Sequence, residues 1–131
     1  ALRDLCMNLI VKNGLEATVE FHADLSQLNA DQQLIVYRVV QELFHNIIKH
    51  AKASHVLLQL SMFEDQLTLI IEDDGRGFSV EEKTLNGIGL GSIRSRVDLL
   101  SGFLDISSVP GEGTTVTINF PLSLTDPLKA V

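Results

Sequence analysis

The chain has 131 residues, which suits one domain and is long enough to bury a substantial core. Apolar residues make up 45% of it, and no apolar run approaches the roughly 18 residues that a membrane-spanning helix needs. The net charge of −7 argues against an electrostatic nucleic-acid binder, which would need a basic surface. The single cysteine, Cys6, excludes an internal disulfide, and no secretory leader is visible, so we expect a cytoplasmic location without membrane contact.

The first third of the chain predicts a helix, a strand and a second, longer helix. Leucines at helical spacing place the first helix over residues 1–12, with Cys6 as a small buried residue. Alternation of apolar and polar residues predicts a strand over 16–22. A polar connection follows, and Asn29 or Asp31 is suited to cap a helix over 31–52.

The remainder alternates between strands, glycine-rich turns and one further helix. Strands are predicted over 55–63 and 67–72, joined by a tight turn at 64–66. A helix over 92–100 precedes strands over 103–107 and 114–120. We expect one domain over residues 1–121 and a C-terminal tail over 122–131.

The order of these elements predicts an α+β protein. Strands with one apolar face, with helices between the hairpins, favour a two-layer α/β sandwich in which helices cover one side of the sheet. The sheet should be mixed and mostly antiparallel, because the chain lacks the strict β-α-β alternation of a doubly wound parallel sheet.

The polar face of the helix over 31–52 carries residues suited to a metal–phosphate site. Glu42 and Asn46 are four apart and therefore lie on one face, with Lys49 about one turn further on. Asn46 can offer an oxygen to Mg²⁺, Glu42 can orient a water and Lys49 can meet a phosphate. Taken alone, the same pattern is far more typical of a solvated helix face.

Two glycine clusters follow, each on its own weakly diagnostic. Asp73, Gly75 and Gly77 form D-x-G-x-G after a strand, and Gly87, Gly89 and Gly91 form G-x-G-x-G before a helix, where free N–H groups can bind phosphate. The polar segment 78–86 between them has the character of a mobile lid.

The order and spacing of these motifs are more specific than any one of them. E-x-x-x-N on a helix, D-x-G-x-G, G-x-G-x-G and a final G-T before the last strand together resemble the GHKL ATP-binding superfamily, which includes sensor histidine kinases, DNA gyrase, Hsp90-type chaperones and MutL-type proteins. Within it, YRVVQELFHNIIKHA and GIGLGSIRSRV look most like sensor kinases that pair with NarL-type response regulators. The resemblance implies a Bergerat-type ATP-binding fold.

The resemblance also implies roles for individual residues. Asn46 would ligate Mg²⁺, Glu42 would position or activate the attacking group, and Asp73 would accept a hydrogen bond from the adenine amino group. Thr114 would support Asp73, directly or through water. The remaining ligand contacts would come from the helix end and the glycine clusters: Lys49, His50, Gly75, Gly77, Gly87, Gly89, Leu90 and Gly91.

The chain departs from such kinases in one respect. They phosphorylate a histidine that precedes an acidic residue on a dimerisation helix, and none of the four histidines here does so. The resemblance therefore implies a catalytic domain that binds Mg²⁺ and ATP and passes phosphate to a separate dimerisation and phosphoacceptor domain. A response regulator would follow through the full-length kinase.

Two alternatives remain open. An anti-sigma-factor serine kinase shares the fold and a similar helix motif, and a non-catalytic nucleotide-sensing module is possible on the same scaffold. The roles of His45, Arg94 and Arg96 also stay open, because each is equally suited to a solvated surface.

Overall fold

Three helices lie on one face of a five-stranded sheet in the computed structural model of the chain, which describes residues 2–51, 53–76 and 90–122. The elements in chain order are α1 (Leu2–Lys12), β1 (Glu16–His22), α2 (Ala30–Asn46), β2 (His55–Phe63), β3 (Gln66–Asp73), α3 (Leu90–Leu99), β4 (Phe103–Ser108) and β5 (Thr114–Pro121). A short 3₁₀ turn, Leu25–Gln27, precedes α2, and a π-helical turn, Ile47–Ala51, continues it.

The strand order across the sheet is β1-β2-β3-β5-β4. Strand β1 pairs in parallel with β2, and every other neighbouring pair is antiparallel. The predicted α+β class, the two layers and the mostly antiparallel mixed sheet are therefore confirmed.

The core lies between the sheet and the helices because each strand turns alternate side chains toward them. On β2 the buried residues are Val56, Leu58 and Leu60, as the alternation predicted. The three helices and the last strand complete the core with Cys6, Ile10, Val36, Val40, Phe44, Ile93, Val97, Ile118 and Phe120. The opposite sheet face is largely polar, with a hydrogen bond from Thr68 to Asn119.

Helix α2 begins with a capping box. The Asn29 side chain accepts a hydrogen bond from the Gln32 backbone N–H, and the Gln32 side chain accepts one from the Asn29 backbone N–H, both at 2.8 Å. Two N–H groups that the first helical turn leaves open are thereby satisfied. Of the two predicted caps, Asn29 is the one used.

The prediction of one regular α-helix over residues 31–52 is wrong beyond Asn46. The α-helix ends there and the chain continues as a π-helical turn, Ile47–Ala51. Apolar periodicity does not reveal a switch from i→i+4 to i→i+5 hydrogen bonds, so a 100° wheel misplaces the residues that follow. Lys49, predicted one regular turn beyond Asn46, lies in this wider turn and is exposed.

The turn between β2 and β3 is formed by two residues, Glu64 and Asp65, which both have positive φ values, 47° and 60°. Such turns match the twist of the strands that they join. Gln66, predicted in the turn, belongs to β3, and the strand extends to Asp73 at its other end. The D-x-G-x-G motif therefore begins at Asp73, the last residue of the inner strand β3.

Among the helices of the described ranges, none is both long and apolar enough to cross a bilayer. The predicted burial of Cys6 is confirmed. Residues 123–131, most of the predicted tail, lie outside the described part of the chain, so the domain limit at residue 121 stays a prediction.

Candidate nucleotide-binding site

The polar face of α2 presents the first part of the site. Glu42 and Asn46 are both partly buried, whereas His45 and Lys49 on the same stretch are exposed. The Asn46 amide nitrogen Nδ2 is buried and has no hydrogen-bond partner among the described residues. A buried N–H without a protein partner is costly, so this nitrogen is available to donate to a ligand or a water molecule.

Both carboxylate oxygens of Glu42 are held by side chains of α3. Ser92 Oγ donates a hydrogen bond to Oε2, and Arg96 Nη1 forms an ion pair with Oε1. Ser92 was not among the predicted site residues, and the role of Arg96 was open. Their four-residue spacing, which places both on one helix face, was the available signal.

The second part of the site is the turn after β3. Asp73 is half-buried, and its Oδ1 accepts a hydrogen bond from the Gly75 backbone nitrogen at 2.8 Å. Burial raises the pKa of the Asp73 carboxyl above its ordinary value, the Gly75 hydrogen bond lowers it, and the neighbouring Asp74 charge raises it further. No other hydrogen bond reaches this carboxylate within the described residues, so it can accept one from a ligand donor.

Asp74, which the sequence analysis did not single out, ties this turn to the end of the α2 region. Its Oδ1 accepts backbone N–H groups of Ser54 at 2.7 Å and His55 at 2.9 Å. These backbone hydrogen bonds lower the pKa of the Asp74 carboxyl. The two neighbouring acids thus differ in role. Asp74 holds the backbone of Ser54 and His55, whereas the Asp73 carboxylate at the strand end remains available to a ligand.

The hairpin between β4 and β5 closes over the same turn. Gly111 N donates to the carbonyl oxygen of Arg76 at 2.5 Å, and Thr114 lies opposite Asp73 in the strand register. The Thr114 hydroxyl shares its described hydrogen bond, 2.8 Å, with Ser108 rather than with Asp73. A direct Thr114–Asp73 hydrogen bond is therefore not among the described contacts, and the role of Thr114 in ligand binding stays a prediction.

Part of the predicted site falls outside the described residues. That part includes Gly77, Gly87, Gly89 and the proposed lid over residues 78–86. For His50 and Leu90 only the helical backbone is described. Gly91 lies in the first turn of α3, where its carbonyl oxygen accepts the Ser95 hydroxyl at 3.1 Å.

The described residues fit a nucleotide and a hard cation. The carboxamide of Asn46 combines an oxygen suited to Mg²⁺ with a buried donor that lacks a partner and suits a phosphate oxygen. Asp73 offers an acceptor that matches an exocyclic amine. The chain thus offers a group suited to a hard cation on α2 and a group suited to an amine donor at the end of β3.

Comparison with known proteins defines the class to which this fold and site belong. The chain is similar to the histidine kinase domain of the blue-light activated histidine kinase from Erythrobacter litoralis EL346, with a TM-score of 0.78 and 26% identity over 98% of this chain and 63% of that one. It is 38% identical over 91 residues to the signal transduction histidine-protein kinase/phosphatase DegS of Brevibacillus brevis, covering 70% of this chain and 24% of that protein. It is 36% identical over 122 residues to UhpB of Salmonella typhimurium, covering 92% of this chain and 24% of UhpB.

The family model for histidine kinase-, DNA gyrase B-, and HSP90-like ATPases matches residues 31–124. The chain belongs to this family and is an ATP-binding domain homologous to the catalytic domains of sensor histidine kinases, as the motif order predicted. It spans about a quarter of the length of the curated relatives named above.

Proposed function

We propose that this chain is the catalytic domain of a two-component sensor histidine kinase, and that it passes the γ-phosphoryl group of ATP to a histidine on a separate dimerisation domain. The observation that carries the proposal is the buried Nδ2 of Asn46, one turn from Glu42 on α2, which has no hydrogen-bond partner among the described residues. The family to which the chain belongs and its similarity to named histidine kinases support it further. A response regulator that receives the phosphoryl group through the full-length kinase belongs to the same proposal.

Each part of the site then has a separate task. Asp73 accepts a hydrogen bond from the adenine amino group, and the Gly75 turn allows the base to approach. Asn46 would hold Mg²⁺ through its side-chain oxygen, and Lys49, which is exposed on the following turn, would contact the phosphates. Bound Mg²⁺ would neutralise phosphate charge during transfer, and the remaining catalysis is positioning.

Phosphoryl transfer from γ-labelled ATP distinguishes this function from its two alternatives. We expect label on the histidine of an added sensor-kinase dimerisation domain and none on an added anti-anti-sigma factor. Label on the serine of the latter would instead identify an anti-sigma-factor kinase. ATP binding without transfer to either would indicate a nucleotide-sensing module.

Asn46→Asp tests the residue that carries the proposal. The substitution keeps the size of the side chain but removes the amide donor and adds a negative charge next to the phosphates. We expect transfer to fall by at least about tenfold, equivalent to about 1.4 kcal/mol of barrier. Without ligand, the free energy of unfolding should change little, because loss of the unpartnered buried donor offsets the like-charge repulsion from Glu42, which costs about 0.5 kcal/mol for residues four apart on a helix.

Asn8→Asp on α1 makes the same chemical change at an exposed helical position and serves as the control. Mg-ATP should raise the thermal midpoint of the wild type and of this control, because any ligand of the folded state stabilises it. Mg-ATP should raise the thermal midpoint of the Asn46→Asp variant much less. A wild-type transfer rate and an equal gain in that variant would remove Asn46 from the site.

A further inference from the structure

The contact between α3 and Glu42 connects two regions that lie 50 residues apart in the sequence. Arg96 Nη1 pairs with Oε1 of Glu42, and Ser92 Oγ donates to Oε2. The Glu42 side chain is 28% exposed and that of Arg96 is 32% exposed. One carboxylate oxygen thus accepts a hydrogen bond, and the other is in charge contact with Nη1, which makes no hydrogen bond among the described residues, so α3 contributes to the orientation of the carboxylate.

The contact lies at the junction between two parts of the proposed site. Glu42 is one helical turn from Asn46 on α2. Ser92 directly follows Gly91 in the first turn of α3, where the glycine-rich motif ends. A nucleotide bound at that motif would thus lie against Gly91, the residue next to Ser92, which donates a hydrogen bond to Glu42.

The energetics favour a role in positioning over one in folding. Helices α2 and α3 already bury apolar side chains in the core, Val40 and Phe44 from one and Ile93 and Val97 from the other. A partly exposed ion pair adds little to stability. It does, however, restrict the directions in which the Glu42 carboxylate can point, and phosphoryl transfer depends on such positioning.

We propose that Arg96 and Ser92 are positioning residues that hold the Glu42 carboxylate in place for phosphoryl transfer. This role rests on the proposed kinase function and adds to it two residues that touch neither nucleotide nor phosphoacceptor. They act through Glu42, and they connect the glycine-rich motif at the start of α3 to the helix that carries Asn46.

A double-mutant cycle between Glu42 and Arg96 tests this role in the whole chain. We expect Arg96→Met to lower the transfer rate to a supplied dimerisation domain by about tenfold, since small misplacements of catalytic groups have effects of at least this size. The calorimetric affinity for ATP should fall less than the transfer rate, because the proposed role of Arg96 lies in the transfer step and not in nucleotide binding. Ser92→Ala should lower the rate less, and Arg96→Lys should restore part of the loss.

The decisive comparison is made in the Glu42→Gln background. In that background Arg96→Met should cause little further loss of transfer rate, because the carboxylate with which Arg96 pairs is already gone. Arg94→Met is the matched control: Arg94 lies on the same helix, is exposed and has no described contact with Glu42. Its transfer rate should equal that of the wild type.

Three results would overturn the positioning role and leave the kinase function standing. The first is a wild-type transfer rate in Arg96→Met. The second is an equal loss of transfer rate on Arg96→Met in the wild-type and Glu42→Gln backgrounds. A loss of ATP affinity as large as the loss of rate would indicate a binding residue instead. A wild-type chain that binds ATP but phosphorylates no added histidine would first overturn the kinase function, and the positioning role with it.

Discussion

Gly113 lies against the backbone of Asp73, so closely that a Cβ atom on Gly113 would stand 2.1 Å from the Asp73 carbonyl oxygen. Its φ of +85° is also one that other residues rarely adopt. The glycine of the β4–β5 hairpin thus permits the last strand to approach the residue that is proposed to bind adenine.

Gly113→Ala should therefore destabilise the fold by about 3 kcal/mol or more, the sum of left-handed strain and a backbone clash. Gly111→Ala is the matched control. Gly111 has nearly the same φ, +84°, but open space where its Cβ would lie. We expect it to lose only about 1–2 kcal/mol. Equal losses in urea unfolding would show that the close approach to Asp73 does not matter.

Asp73→Asn should separate nucleotide binding from stability. The variant keeps an oxygen for the Gly75 N–H but loses the charge that faces the adenine amine, so ATP binding should weaken by about 1.5–3 kcal/mol. Unchanged affinity by calorimetry would remove Asp73 from the site.

Without nucleotide, the same variant should be at least as stable as the wild type at pH 7. Burial raises the folded-state pKa of Asp73 above its ordinary 3.8, so the folded chain binds this proton more tightly than the unfolded chain. The resulting stabilisation is present below pH 3.8 and is lost as the pH rises through the folded pKa. At neutral pH the wild type carries the cost of a partly buried charged carboxylate, and Asp73→Asn removes that cost. Asp105→Asn, on an exposed strand position, is the control for loss of a surface charge.

Asp74→Ala should lower the thermal midpoint, because the backbone N–H groups of Ser54 and His55 lose their acceptor. The folded-state pKa of Asp74 lies below 3.8, so this carboxylate contributes stability above that pH and loses it as the pH falls through the folded pKa. The difference between wild type and variant should accordingly shrink in acid. A constant difference from pH 7 to acid, or a midpoint equal to that of Asp105→Ala, would contradict the fastening role.

Cys6 should resist thiol reagents until the domain unfolds. It is fully buried in α1, and burial raises the pKa of its thiol to about 11. On the order of one thiol in ten thousand is then ionised at pH 7, and the thiolate is the reactive form. We expect one equivalent of label in denaturant and almost none in native buffer. Rapid labelling of the native chain would show that α1 opens readily from the core.

The sequence by itself determined the architecture and the family, and it predicted the candidate site residues. Apolar periodicity located all three helices and five strands of the described chain, since burial of one face leaves a 3.6- or 2-residue pattern. Asn29 was recognisable as a cap because its role depends only on residues three positions away. The order of the motifs was enough to recognise the ATPase family, because each motif is local.

Only the tertiary structure decided what those residues touch. Glu42 and Arg96 are 54 positions apart, Asp74 and Ser54 are 20 apart, and Gly113 and Asp73 are 40 apart, and each pair meets only when separate elements pack together. The π-helical turn after Asn46 likewise left no mark on the apolar pattern. Periodicity records which face of an element is buried, whereas contacts between polar groups depend on how the elements are placed against one another in space.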